Sequence, residues 1–149
     1  MPGKQLFTAQ FDAATELKDG GSVQTTASAG NVASVPRIVN VGVAFAAMVA
    51  VIDIDAIDLA SGDEGYTIIV QGSTVADFST DVVTLVSARA GKAAVINESA
   101  DRGVGRIQRP FYNTVDGLKP YPFLRAFMTP VGTTPSILYR CFLTKNVTL

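Results

Sequence analysis

Five carboxylates crowd into twelve positions of this chain: Asp53, Asp55, Asp58, Asp63 and Glu64. Acids at that density could hold a hard cation through oxygen ligands. Laid on the twelve-residue frame of a calcium loop, Asp53 takes position 1, Asp55 position 3 and Glu64 position 12. The frame fails at its centre. Ile57 stands at position 5, and Asp58 stands at position 6, where the sharp turn needs Gly. The flanks also read as strands, whereas a calcium loop of this type joins helices. The cluster is therefore read as the wet face of a strand followed by an acidic turn. Paired carboxylates also serve glycoside hydrolysis. Here the acids lie close together in sequence and no Trp is present to line a sugar cleft, so that chemistry is not expected.

The basic residues gather in one place, Arg102, Arg106 and Arg109, with Arg89 and Lys92 close by. Nucleic-acid binding would want more charge and interleaved aromatics. Docking on an acidic protein surface needs less, and scattered solvated charges need nothing further. Gly103-Val104-Gly105 is too short to cradle a phosphate and no helix follows it. The chain has no histidine, which removes Ser-His-Asp and Cys-His nucleophiles and His-based zinc sites. The single Cys141 alternates with Ile137, Tyr139 and Leu143, the pattern of a buried thiol. Asn97-Glu98-Ser99 and Asn146-Val147-Thr148 match the glycosylation triplet, but without a secretion signal they are read as chance. Nothing here assembles a catalytic centre, so neither an enzyme nor a cofactor is expected.

The elements that carry these residues read as short strands. Ile52 and Ile54 alternate with Asp53 and Asp55, which makes Met48–Ile57 a strand with one wet face. Ala44–Ala50 could instead turn once as a helix, because Ala and Met favour it. Arg37–Val43, Tyr66–Gln71 and Val82–Ser87 read as further strands, with a single helical turn at Thr74–Phe78. Ala93–Asn97 is a short strand candidate after a turn at Ala90-Gly91, and Glu98–Gly105 is a polar loop. Arg106–Tyr112 is a strand that Pro110 confines to an edge or a bulge. Tyr121–Thr129 and Ser136–Thr144 alternate strictly, and the connection PVGTTP between them reads as the turn of a hairpin.

Length suits one domain over residues 1–149. Gln5–Phe11 could be a short strand, and Asp19–Gly30, rich in Gly, Ser, Thr and Ala, reads as a loop or an arm. Residues 1–35 are therefore expected to form an arm or loop region, and residues 36–149 a β-sandwich core. The resulting fold class is all-β: an antiparallel jelly roll or β-sandwich with an extended N-terminal arm or loop. Hydrophobic residues make up 48% and charged residues 17%, which excludes disorder and suggests that a partner, or copies of the chain, cover part of the surface. A net charge of −1 steers the chain to neither nucleic acid nor an anionic membrane. The longest apolar run, Val41–Ile52, falls short of the roughly 20 residues a bilayer span needs. With one cysteine and no signal segment, synthesis in a reducing cytoplasm is expected.

Two stretches carry a family pattern. The first is Asp63-Glu64-x-Tyr66, then Ile68-Ile69-Val70-Gln71-Gly72-Ser73, then Ala76-Asp77-Phe78. The second is Phe111-x-Asn113, Tyr121-x-Phe123-Leu124-Arg125-Ala126, a Gly132-Thr133 turn and Pro135-Ser136-Ile137-x-Tyr139. Together they resemble the capsid cement (decoration) proteins of tailed bacteriophages, over a little more than half of the chain. The resemblance implies a jelly roll, usually trimeric, at three-fold or quasi-three-fold positions outside the capsid shell, where it clamps adjacent major capsid proteins. It implies a place on the virion exterior, after synthesis in the host cytoplasm, and no catalytic residues. The expected partners are the major capsid protein and two further copies, without nucleic acid, membrane, metal or cofactor. The arm from Met1 to Asn31, through Lys4, Phe7 and Phe11, and the loop carrying Arg102, Arg106 and Arg109 are the expected contacts. Two other roles fit such a chain: a tail or neck component of a virion, and a carbohydrate-binding sandwich using Phe123, Phe127 and Tyr112 as its platform.

Overall fold

A computed structural model describes residues 11–145 of the chain. After a 3-10 turn at Ala13–Thr15 the chain makes five very short strands: β1 (Glu16–Lys18), β2 (Ser28–Ala29), β3 (Asn31–Val32), β4 (Val35–Pro36) and β5 (Val39–Asn40). Longer elements follow: β6 (Ala47–Ile57), β7 (Gly65–Ser73), β8 (Val83–Gly91), α1 (Ala93–Ile96), β9 (Gly105–Tyr112), β10 (Phe123–Val131) and β11 (Ile137–Lys145). One sheet runs β1-β11-β6-β9. The other runs β2-β10-β7-β8, with β5 also paired to β10, and β3 and β4 pair with each other. Every pairing between these strands is antiparallel.

The two sheets pack face to face because alternate residues of every long strand are apolar. Met48, Ala50, Ile52 and Ile54 of β6 meet Tyr66, Ile68 and Val70 of β7, Leu124, Ala126 and Met128 of β10, and Ile137, Tyr139, Cys141 and Leu143 of β11 in one core. A small second cluster, Val49, Val51 and Phe142, lies on the outer face of the first sheet. The ring of Phe11 packs edge-on to Phe142 there, at 5.4 Å and 80°. Pro110 sits on β9 opposite Val49, and β9 is an edge strand, where a missing N–H disturbs no ladder.

Three expectations are corrected. The last two strands do not form a hairpin: β10 pairs with β7, β11 pairs with β6, and residues 132–136 carry the chain from one sheet to the other. Both strands have a wholly apolar inner face, so each gains more by facing the other across the core than by lying beside it. Ala93–Ile96 is a helical turn, not a strand. The Asp101 carboxylate accepts from the Ala93 N–H at 2.8 Å and pairs with Lys92 at 2.7 Å, while Asn97 ends the turn in the left-handed region at φ 59°. Third, of the expected arm or loop region, Glu16–Lys18 joins a sheet as β1, while residues 19–27 form a loop, as one of the two readings had it. Leu17 and Lys18 have no solvent exposure, and β1 pairs with β11. The Asp19–Gly30 loop is fastened by the backbone bridge between Gln24 and Ile137. Residues on both sides of Val35 thus contribute strands to the sandwich. Lys4 and Phe7 lie outside the described residues.

Candidate docking surfaces

The two ends of the sandwich are built differently. At one end meet the connections 58–64, 92–104 and 132–136; at the other, 41–46, 74–82 and 113–122. The first end holds the acidic cluster, and each carboxylate there has its own task. Asp58 accepts from the Ala60 N–H at 2.9 Å. Asp63 accepts from the Thr133 N–H and hydroxyl at 3.0 and 2.8 Å, which keeps its carboxyl below the usual range. Burial opposes ionisation of Glu64. The N–H groups of Ser61 and Gly62, at 2.7 and 2.9 Å, overcome that penalty and hold its carboxyl low as well. Asp53 forms a bidentate pair with Arg106 at 2.6 and 2.8 Å, and Asp55 faces Arg140 at 3.6 Å. Among the described residues, no three carboxylate or thiol groups converge as metal ligands would. The acids fasten loops and strands. Gly132 completes this closure at φ +107°, where a Cβ would stand 2.6 Å from the Asp63 carbonyl oxygen.

The three arginines expected to dock on a partner do not form one patch. Arg106 points outward from β9 and is held by Asp53, which raises its already high affinity for the proton. Its guanidinium also lies 5.8 Å from the Phe142 ring. Arg109 alternates to the inner side of the same strand, opposite Ala50, and donates to the Gln108 carbonyl. Arg102 pairs with Glu98 at 3.2 Å. Nearby, Arg89 donates to the carbonyls of Val95 and Ile96 at the end of α1. A shallow depression of about 460 Å³ lies between Arg106, Arg140, Asp53 and Asp55. Its charges are already matched by one another, which leaves a small net field for a charged partner.

The aromatic platform also divides. Phe123 and Phe127 stand on the outer face of β10, alternating with core residues, and Tyr112 stands on the outer face of β9 in the opposite sheet. Arg125 lies between aromatics, 4.3 Å from the Phe78 ring and 5.6 Å from the Phe127 ring. No flat row of rings results.

The other end is apolar, and sequence reading missed it. Asn113 builds it. With no solvent exposure, its side chain accepts from the Ala46 N–H at 2.8 Å and donates to the Ala44 carbonyl at 3.0 Å. Its backbone binds the Ala46 carbonyl and the Tyr121 N–H. Three of these bonds clamp loop 41–46 to loop 113–122, and the bond from Tyr121 closes loop 113–122 on itself. The third loop joins through Asp81, which accepts from Lys119 at 2.6 Å and from Thr74 at 2.9 Å. Ser73 fixes its base, receiving the Val75 N–H and donating to the Thr80 carbonyl. On this frame Val43, Phe45, Tyr112, Val115 and Leu118 face solvent. A signal was present in the sequence: the apolar run Val41–Ile52 is longer than the inner face of one strand requires, and its first six residues lie outside β6.

One further group of titratable residues lies in the core. Lys18 Nζ donates to the carbonyls of Asp19, Ser22 and Tyr139 at 2.9, 3.0 and 2.9 Å and lies 4.7 Å from the Tyr139 ring centre. Burial lowers its affinity for the proton, and Asp19 and Asp55 partly restore it. Cys141 pairs with it in register, fully buried, and its thiol is pushed up to about 12. These groups join β1 to β11 and have no access to a substrate. No family model, no curated protein and no solved structure matches this chain.

Proposed function

We propose that this chain is a structural virion protein, a cement protein that binds the outside of a bacteriophage capsid shell as a homotrimer and stabilises it. The observation that carries this reading is the strand order. β1 lies beside β11, then β6, then β9; β2 and β5 lie beside β10, then β7, then β8. Counting β2 and β5 as one interrupted strand gives two sheets of four, and the chain changes sheet at every connection from β8 to β11. That winding supports a jelly-roll reading, and jelly rolls recur among viral capsid proteins.

Fold alone does not carry function, so the surface must agree. It does so in three respects. The carboxylates and arginines are spent on one another and on loops, which argues against a charged-ligand site. One end is apolar and rigidly clamped, which suits a subunit that works by contact. The segments resembling cement proteins lie on β7, the end of β9, β10, β11 and the loops beside them, the frame that would carry such contacts. A trimer would convert three weak contacts with the shell into one tight one, because the second and third form at high effective concentration.

Co-sedimentation with empty shells of the major capsid protein tests this. The chain should pellet with expanded shells at a stoichiometry of three per three-fold position, and the shells should open at a higher temperature. Chain that stays in the supernatant at every concentration would refute the role. A mass of six or more subunits for the isolated oligomer would favour a tail or neck ring instead.

A further inference from the structure

The apolar end has no occupant among the described residues, and its composition restricts what can fill it. Val43 is 83% exposed, Phe45 54%, Tyr112 64%, Val115 62% and Leu118 83%. Two aromatic side chains of roughly 200 Å² each and three aliphatic ones of about 100 Å² leave on the order of 450 Å² of apolar surface in water. That lies within the roughly 300–600 Å² of the largest apolar patch on a monomer, a patch that is often functional, and it is about half of what one partner contributes to a standard interface.

We propose that this end is the face on which copies of the chain meet. Charge selects the occupant. Loop 41–46 contains no charged residue. In loop 112–118 the one charge is Asp116, and its carboxylate accepts from the Leu118 N–H at 2.9 Å. At the margin Lys119 and Asp81 neutralise each other. Copies related by symmetry must present the same patch, or adjoining patches, to one another. A surface with few charges, here Asp116 held by the Leu118 N–H and Asp77 held by the Ser79 N–H, does this with little repulsion, and the centres of subunit interfaces are depleted of charge. The surface is also preorganised. Asn113 fixes loop 41–46, and Thr114 receives the Gly117 N–H at 3.0 Å, so little ordering remains to oppose association.

The inference deepens the cement reading, on which it rests for the number of copies, and it is measured without shells. Sedimentation velocity of the free protein over a range of concentrations gives the association constant. Wild type should associate, and Val43→Lys combined with Leu118→Lys should weaken association at least tenfold with an unchanged far-UV circular dichroism spectrum. Val115→Lys is the second variant, should the double one fold poorly. Val131→Lys, an exposed apolar residue beside the opposite-end turn, should associate as wild type does. Wild type that is monomeric throughout, lysine variants that associate unchanged, or equal losses with Val131→Lys would each overturn the proposal. A monomer that still decorates shells would overturn this interface and the trimer, and leave the binding to the shell standing. A chain that associates through this end and ignores shells would do the reverse.

Discussion

Replacing Asn113 with Ala tests the clamp at the apolar end. The side chain is fully buried and makes two bonds, one from the Ala46 N–H and one to the Ala44 carbonyl. The substitution leaves both backbone groups without a partner, while the two bonds of the Asn113 backbone persist. An unsatisfied buried polar group costs about 1–3 kcal/mol. Ala44 is itself exposed, so water can reach its carbonyl, and the lower part of the range applies to it. The expected loss is about 2–3 kcal/mol, a large share of the roughly 5–15 kcal/mol that holds a domain together. With a urea slope of about 1–3 kcal/mol per molar, the midpoint should fall by roughly 1–2 M. The chain has no Trp, so far-UV circular dichroism or tyrosine fluorescence must follow the transition, at one fixed protein concentration. Asn113→Asp keeps the acceptor for Ala46 and sets a carboxylate against the Ala44 carbonyl, so it should also destabilise. If Asn113→Ala shifts the midpoint by less than about 0.3 M, the loops are held by something other than this side chain.

Four further outcomes are expected. The Cys141 thiol stands at about 12 in the folded chain against 9.0 when free, so folding retains a proton that the unfolded chain gives up as pH rises through 9. Wild type should therefore lose about 2 kcal/mol more than Cys141→Ala between pH 8 and 10.5 in paired urea titrations, and parallel curves would sink the assignment. Lys18 has the opposite sign: its lowered proton affinity means that stability is gained as pH rises toward 10.5. Lys18→Met strands three carbonyls and should cost about 3–5 kcal/mol by thermal or urea unfolding, whereas a loss below about 1 kcal/mol would mean that β1 is only loosely attached. Gly132→Ala places a methyl group against the Asp63 carbonyl at a positive φ, and should lower the thermal midpoint by several degrees, a larger shift than the same change at Gly117, where the space is open. Equal shifts at the two positions would contradict the close approach.

Alternation made the long strands legible but not their assignment to sheets. The inner faces of β10 and β11 are equally apolar, and an apolar face looks the same whether its neighbour lies beside it or across the core. Only the distance between sheets decides, and that is a tertiary quantity. The apolar end was hidden for a similar reason. Hydrophobicity does not change between Val41–Ala46 and Ala47–Ile52, yet Asn113, some seventy residues away, turns the first six out of the sheet. The arginines showed the reverse error: closeness in sequence suggested a patch, but a strand sends Arg106 and Arg109 to opposite sides. Asp63-Glu64 was legible as an acidic turn because its residue types fit only loop closure once a calcium frame had failed.

The strand order also imposes a schedule on synthesis. β10 lies between the β2 and β5 strips and β7, and β11 lies between β1 and β6, so the last two of the described strands take interior places in both sheets. A nascent chain that ends before Phe123 holds β6 and β7 with one edge each unpaired and β1 with no partner strand in its sheet. Neither sheet can close until β10 and β11 have left the ribosome, and folding must then bring together segments more than a hundred residues apart. During that wait, open edges on neighbouring chains can pair with each other. A chain required in many copies at one moment of assembly would be most exposed to this hazard when its synthesis is fastest.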